Sequence, residues 1–335
     1  MSSAPTPDEI ARDATWLAQA LDPSAGLVRL IAMTPETYRS ASFLDDRLLQ
    51  QPVDAQVLPW QDVESAMAGE HRTDARWIFH IGHVGSTLIS RLLGELDGVL
   101  AVREPRLLRD LAVSPPAVRQ QYLRSVPKLM SRAFDAAEYA CVKATSFASE
   151  IVSDLVGTGE RALFMYARPR NYVASILAGE NSLKELRQLE TYRRERLASR
   201  QIILPPCRTD AERAAGAWAC EMTTLEAAAA AMPDRMIAWA DFDAMLVDME
   251  GELARVAGFL GFTADPGRLG SIAAGPLMTR YSKDPSYEYS PTLREQLIDQ
   301  ELELQGGEIQ AALAMLHAAA EGSPLLARAM RRAED

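Results

Sequence analysis

Residues 79–96 read FHIGHVGSTLISRLLGEL and join a short apolar strand, a glycine-rich turn and an amphipathic helix. Gly82 and Gly85 permit a tight turn whose backbone N–H groups can point inward. Ser86 and Thr87 place two hydroxyls in the first turn of the helix, whose positive end favours a phosphate. The stretch therefore predicts a phosphate-binding turn between a buried strand and a helix.

Short apolar segments alternate with helical ones on both sides of this turn. Because they are short and mostly end at glycine, charge or a turn, they are typical of buried strands. The five segments are RWIFHI (76–81), GVLAV (98–102), YACVK (139–143), RALFMYA (161–167) and MIAWA (236–240). This alternation predicts βαβ units, and hence an α/β three-layer sandwich with a mostly parallel central sheet and helices on both faces.

Helical segments are expected to flank and interrupt this unit. In residues 1–70 the apolar side chains between Ile10 and Leu21 recur at roughly helical spacing, so we predict an N-terminal helical layer of the same domain. Residues 71–335 would form the α/β domain. The alternation lapses at about 181–233, where a charged run and an alanine-rich stretch predict a helical insertion. Charge runs of this kind are typical of a solvated helix face.

Composition and charge exclude several classes of protein. The chain has 335 residues, 48% hydrophobic and 24% charged, with a formal net charge of −11. An acidic balance argues against nucleic-acid or anionic-membrane partners, which need a basic field. No apolar run reaches the roughly 18 residues of a transmembrane helix. Three cysteines and an N-terminus without a secretory pattern favour a cytoplasmic protein.

The turn is not that of a nucleoside triphosphatase. That motif requires a lysine directly after its last glycine, and here Ser86 follows Gly85. The apolar strand that would supply a magnesium-binding aspartate runs instead into Arg168. An ATP-dependent kinase is therefore a minor hypothesis. His80 and His83 share no strand face and lack a third ligand, so no metal site is expected.

Two separate motifs resemble those of a known family. The strand with its turn at 82–87, followed by ARPRNYVAS at 167–175, resembles the two cofactor motifs of PAPS-dependent sulfotransferases. The resemblance covers residues 76–180 and, more loosely, 235–290. It implies a P-loop-type fold and 3′-phosphoadenosine 5′-phosphosulfate (PAPS) as co-substrate. It also implies a small-molecule or peptide acceptor with a hydroxyl or amine, and leaves the acceptor and the oligomeric state open.

The resemblance also implies roles for individual residues. In the family an Arg and a Ser after a later strand hold the 3′-phosphate, which here would be Arg168 and Ser175. Arg168 suits this role independently, since a guanidinium can grip a phosphate with two hydrogen bonds and parallel strands present ligands at their carboxyl ends. The 5′-phosphosulfate would lie on the turn, at Gly82, Gly85, Ser86 and Thr87.

The turn departs from the family at His83. The family has a Lys or Arg two residues before the second glycine, and that cation stabilises charge on the departing phosphate oxygen. A protonated imidazole can do the same, and a nearby phosphate favours that charged form. The substitution keeps a second hypothesis open, a non-catalytic relative that binds a nucleotide or a partner protein.

The acceptor side is expected to use a carboxylate and a lysine. Glu104 follows the second strand among Arg103, Arg106 and Arg109, and the resemblance implies that it is the catalytic base. Lys143 ends the third strand, so it should point to the same sheet edge and stabilise charge on the sulfate.

A late basic segment and the interrupted regions complete the predicted site. In the family a late basic loop closes over the 3′-phosphoadenosine, and here Arg280 and Lys283 would take that role. The acceptor pocket is expected to be shaped by the 181–233 segment together with the N-terminal layer.

Overall fold

The computed structural model describes residues 4–157, 159–233, 236–280 and 290–334. Its strands are β1 (Trp16–Asp22), β2 (Leu27–Ala32), β3 (Ala55–Pro59), β4 (Arg76–His80), β5 (Val99–Arg103), β6 (Tyr139–Lys143), β7 (Arg161–Tyr166) and β8 (Ile237–Asp241). Its helices are α1 (Pro7–Arg12), α2 (Pro35–Ser40), α3 (Trp60–Ala66), α4 (Ser86–Leu93), α5 (Arg106–Ala112), α6 (Pro116–Arg119), α7 (Val126–Met130), α8 (Val152–Leu155), α9 (Pro169–Leu177), α10 (Glu180–Gln188), α11 (Glu190–Ser199), α12 (Asp210–Ala230), α13 (Phe242–Val247), α14 (Met249–Leu260), α15 (Pro266–Ala273), α16 (Pro291–Glu321) and α17 (Pro324–Glu334). Short 3₁₀ turns cover Asp46–Gln50, Ser146–Ile151 and Pro276–Met278.

The predicted parallel sheet is confirmed. Its strands lie in the order β5-β6-β4-β7-β8, and each neighbouring pair is parallel. In β4, Ile78 lies opposite Lys143 on one side and Leu163 on the other. Helices α4 and α14 pack on one face of the sheet, and α9 and α12 lie on the other. The connections β4 to β5 and β7 to β8 run in opposite directions along the sheet, and right-handed crossovers then place their helices on opposite faces. Strands buried on both faces explain why the sequence shows continuous apolar runs.

The strand order determines where a ligand can bind. After β4 the chain crosses to β5 at one edge, whereas after β7 it crosses to β8 at the other. The carboxyl ends of the adjacent strands β4 and β7 therefore border a crevice from which the connections diverge. In open α/β sheets this is the position where ligands bind.

The prediction of a helix through residues 10–21 is wrong. Helix α1 ends at Arg12, and Trp16–Asp22 forms β1, which pairs antiparallel with β2. Six of the seven β1 residues are buried, so the strand has no polar face to reveal a period of two. The N-terminal layer is thus a three-stranded antiparallel sheet, β1-β2-β3, combined with short helices.

The segment 181–233 comprises most of α10, then α11 and α12. Its charged run is not simply a solvated face, however. Arg193 and Arg196 on α11 are buried. Arg196 donates to Glu221 of α12 at 2.8 Å, so charge holds these helices together from the inside. No helix in the described part of the chain is long and apolar enough to cross a bilayer.

Candidate active site

The glycine-rich turn has the backbone geometry of an anion-binding loop. Gly82, His83 and Gly85 all have positive φ, at 81°, 54° and 63°. A Cβ on Gly85 would lie 2.0 Å from the ring of Phe242, so glycine is required there by space as well as by conformation. No side chain caps α4. The N–H groups of its first turn therefore remain available to an anion.

A cavity of about 1080 Å³ opens at this turn, at the carboxyl edge of the sheet. Its wall includes nearly all of the predicted loop and acceptor-side residues. They are Gly82, His83, Gly85, Ser86, Thr87, Glu104, Lys143 and Ser175. The sequence-predicted residues from four different segments thus meet at one cavity.

Glu104 and Lys143 form an ion pair on the cavity wall. Glu104 follows β5 with a positive φ of 55°, and its backbone N–H donates to the Lys143 carbonyl at 2.7 Å. The Nζ of Lys143, whose side chain is 1% exposed, donates to Oε1 of Glu104, whose side chain is 14% exposed. The strained backbone turns the carboxylate towards the lysine at the end of the neighbouring strand. A carboxylate and a cation are thereby held at one point.

The cationic surround of Glu104 differs from the prediction. Arg103 points away, because its buried guanidinium donates to backbone carbonyls of residues 38, 39 and 41. Burial lowers its pKa to about 10. Arg106 and Arg109 do line the cavity, but Arg106 pairs with Asp110 at 3.2 Å. Arg47, from the 3₁₀ turn after α2, lies instead 3.6 Å from Oε2 of Glu104.

His83 lies on the cavity wall, in the position expected for the loop cation. It is half-buried, and its Nδ1 is 3.4 Å from Oγ of Ser182 at the start of the insertion. The imidazole therefore borders the cavity and contacts α10.

The two predicted 3′-phosphate residues lie in different surroundings. Ser175 is on the cavity wall, about two turns into α9. Arg168 precedes α9, and its half-exposed side chain donates from Nε to Oδ2 of Asp241 at 3.1 Å. It is not part of the cavity wall. Burial, and then Asp243, raise the pKa of Asp241, which Arg168 partly offsets.

The late basic segment contributes little that can be described. Arg280 is exposed and does not line the cavity, and Lys283 lies outside the described residues. Across the described ranges, no three His, Cys, Asp or Glu side chains are arranged to hold a metal ion.

Sequence reasoning missed an arginine from the first turn of α16. Arg294 lines the cavity, its side chain is 11% exposed, and its NH1 is 2.7 Å from Oδ1 of Asp243. Among the described residues, its other terminal nitrogen, NH2, is buried and has no hydrogen-bond partner. A cation in the first turn of a helix is unfavourable next to the positive end of the helix dipole. The position of Arg294 shortly after Ser290 and Pro291 was therefore the sequence signal for a functional arginine.

The walls around the base are partly apolar. Phe43 from the N-terminal layer, Phe147 after β6 and Tyr192 from α11 line the cavity, and the last two rings pack at 5.6 Å. The N-terminal layer and the insertion therefore both contribute to the space in front of Glu104.

Together these features define an α/β protein of the P-loop type, in which a glycine-rich turn and a carboxylate–lysine pair face one cavity. Three solved structures to which this chain is similar are sulfotransferases. They are the sulfotransferase domain from the curacin biosynthetic pathway, mouse sulfotransferase SULT7A1 complexed with PAP, and the sulfotransferase domain of the Synechococcus PCC 7002 olefin synthase.

The similarity to these structures is extensive in length and low in identity. The curacin domain is 12% identical over 69% of this chain and 91% of its own, with a TM-score of 0.41. SULT7A1 is 11% identical over 80% and 92%, with a TM-score of 0.44. The olefin synthase domain is 14% identical over 69% and 95%, with a TM-score of 0.39. No protein-family model and no curated protein matches the sequence. Function has to be argued from the site itself.

Proposed function

We propose that this chain transfers a sulfuryl group from PAPS to a hydroxyl or amine acceptor. The observation that carries the proposal is the shared cavity, in which the glycine-rich turn and the Glu104–Lys143 pair face one space. The turn suits a phosphosulfate, and the pair suits an acceptor that must lose a proton. The order of the two sequence motifs supports PAPS as the donor.

The 5′-phosphosulfate would bind at the start of α4. Backbone N–H groups from His83 to Gly85 and the hydroxyls of Ser86 and Thr87 provide donors without a metal ion. Both hydroxyl residues are nearly fully buried, so the bound group would be shielded from water. In such a site each hydrogen bond to an anion is stronger than it is in bulk solvent.

The transfer would run by in-line displacement. The acceptor's proton passes to the Glu104 carboxylate while the acceptor oxygen or nitrogen forms a bond to sulfur. The bond from sulfur to the 5′-phosphate oxygen breaks, and 3′,5′-bisphosphoadenosine (PAP) leaves with the developing negative charge. Lys143 and His83 would stabilise that charge, since positioning and electrostatics dominate transfers of this kind.

Two arginines are candidates for the cation at the 3′-phosphate beside Ser175. The sequence motif favours Arg168, which would have to exchange Asp241 for the phosphate. Placement favours Arg294, which is already on the cavity wall and whose NH2 has no partner in the part of the chain that the structure describes. A phosphate oxygen would satisfy that donor, whose burial unpaired costs about 1–3 kcal/mol.

The test is transfer of radiolabelled sulfate from PAPS to a panel of phenols, alcohols, amines and tyrosine peptides. We expect a labelled product with at least one acceptor, and its loss in Glu104→Gln. The His83 departure favours one other function, a nucleotide-binding protein without turnover. PAP binding by calorimetry together with no transfer to any acceptor would support that alternative.

A further inference from the structure

His80, the last residue of β4, lies between the phosphate-binding turn and the base. His80 is 5% exposed, and each of its ring nitrogens lies within hydrogen-bond distance of a backbone group. Nδ1 accepts from the N–H of Gly82 at 3.0 Å, and Nε2 lies 3.0 Å from the carbonyl oxygen of Ala144. Nε2 is also 3.8 Å from Oε1 of Glu104, too far for a hydrogen bond but close enough for an electrostatic effect.

These two contacts determine which proton the ring carries. A backbone N–H can only donate, so Nδ1 must keep its lone pair towards Gly82. A carbonyl can only accept, so Nε2 must carry the hydrogen towards Ala144. The arrangement is complete for a neutral imidazole with its proton on Nε2. A second proton on Nδ1 would set two donors against each other at Gly82.

The His80 ring adds a side-chain hydrogen bond between β4 and the residue after β6, next to the last backbone hydrogen bond of that strand pair. The β4–β6 ladder closes with the N–H of Ala144 donating to the Ile78 carbonyl at 3.0 Å. One step further, His80 replaces the backbone and binds Ala144 through its side chain. Ala144 directly follows Lys143, and Gly82 is the first glycine of the turn. A single buried ring therefore connects the nucleotide side of the cavity to the catalytic pair.

We infer that His80 is a positioning residue. Its hydrogen bond with Gly82 fixes the backbone position at the start of the phosphate-binding turn, and its hydrogen bond with Ala144 fixes the position of the Lys143–Glu104 pair. The inference rests on the proposed function only in what the two sides bind. Each of its two hydrogen bonds should control a different step. The Gly82 bond controls nucleotide binding, and the Ala144 bond controls turnover.

Two substitutions separate the bonds. In His80→Asn the amide oxygen takes the place of Nδ1 and keeps the Gly82 bond, whereas in His80→Gln the amide nitrogen takes the place of Nε2 and keeps the Ala144 bond. We expect His80→Asn to lower kcat about five- to tenfold with the KM for PAPS within about twofold. We expect His80→Gln to raise that KM and the Kd for PAP about five- to tenfold, the change typical of one lost buried hydrogen bond. Equal losses in both variants, or no loss in either, would overturn the inference.

A measurement without nucleotide keeps this test independent of the proposed function. Nitrogen-15 spectra of the histidine rings should show His80 neutral with its proton on Nε2. Exchange of the Gly82 amide should be about tenfold faster in His80→Gln and unchanged in His80→Asn. A proton on Nδ1, or equal exchange in both, would contradict the inference. If the exchange pattern holds and the wild-type chain does not bind PAP, His80 keeps its role and the proposed function fails.

Discussion

At the scale of single residues, the site depends on a carboxylate that is held against a buried lysine. Lys143 cannot be solvated, and Glu104 is its counter-charge in the described structure. Removing Glu104 would take from the buried Lys143 charge the carboxylate to which its Nζ donates. Substitutions that keep size and hydrogen bonding while removing charge are therefore the informative ones.

We expect Glu104→Gln to lower kcat for sulfate transfer by about 10²–10⁴, the range typical of losing a general base. The KM for PAPS should change little, because the proposed nucleotide site is the turn and not the Glu104 carboxylate. Steady-state kinetics with the best acceptor would measure both values. Glu36→Gln, at an exposed glutamate of α2, is the matched control and should leave both unchanged. A full kcat in Glu104→Gln would rule out its role as base.

Paired alanine variants identify the arginine at the 3′-phosphate. Arg168→Ala or Arg294→Ala should weaken PAP binding by about 2–3 kcal/mol, as expected for a charged hydrogen bond, while the other changes it little. Calorimetry with PAP and with adenosine 5′-phosphate gives the comparison, since the latter lacks the 3′-phosphate. If neither variant discriminates between the two nucleotides, the 3′-phosphate does not bind beside Ser175.

Glycine in the turn should be intolerant of even a methyl group. Gly85→Ala would place Cβ against Phe242 at a positive φ, so we expect a loss of about 1–3 kcal/mol in the free energy of unfolding. Gly258→Ala, in α14, has open space around the new methyl group and should stabilise by about 0.5–1 kcal/mol. Denaturant unfolding measures both. Equal stability of the two variants would contradict the tight packing of the turn.

At the scale of elements, the sequence predicted the strands that are buried on both faces and bounded by nearby turns. All five parallel strands were predicted to within a residue or two, because each is a short apolar run that ends at a turn. Strand β1 was not, since its alanines and leucines are buried on both sides and read equally well as helix. Arg47 and Arg294 could not be placed either. They reach the cavity from segments about 57 residues before Glu104 and 119 after Ser175 along the chain.

The insertion should depend on its buried ion pairs. Arg196→Met would take from the buried Glu221 its nearest cation, so we expect the free energy of unfolding to fall by about 3–5 kcal/mol. Arg194→Met breaks an exposed i,i+4 pair with Glu190 and should cost no more than about 0.5 kcal/mol. Thermal unfolding of the two variants makes the comparison. Similar losses would show that the buried network contributes no more than a surface pair.

At the scale of the whole molecule, the charge of the cavity lining is opposite in sign to the net charge of the chain. The chain carries a net charge of −11, yet the cavity is lined by six basic and four acidic side chains. The basic side chains are Arg47, Arg106, Arg109, Lys143, Arg193 and Arg294. A small anion can therefore bind at this edge while the surplus acids elsewhere repel long polyanions.

Stability should depend on pH through one buried carboxyl at the amino end of the sheet. Glu160, which accepts from Nε1 of Trp77 at 2.9 Å, has its pKa raised by burial to about 7. Between its ordinary value of 4.5 and 7 the folded chain binds more protons than the unfolded one. Stability from this group is therefore fully present below 4.5 and is lost as the pH rises through 7. Glu160→Gln should remove that loss. Denaturant unfolding of both proteins at pH 5 and pH 8 gives the comparison. If the variant loses as much free energy of unfolding between these pH values as the unsubstituted chain, Glu160 is not responsible.

The central claim, a PAPS-type nucleotide on the glycine-rich turn, is tested most directly by a calorimetric titration of the wild-type chain with PAP. We expect saturable one-to-one binding, weaker for adenosine 5′-phosphate and weaker still for ATP with Mg²⁺, because the turn lacks the lysine and the magnesium ligand of an ATP site. Absence of PAP binding, or tighter binding of ATP with Mg²⁺, would contradict it.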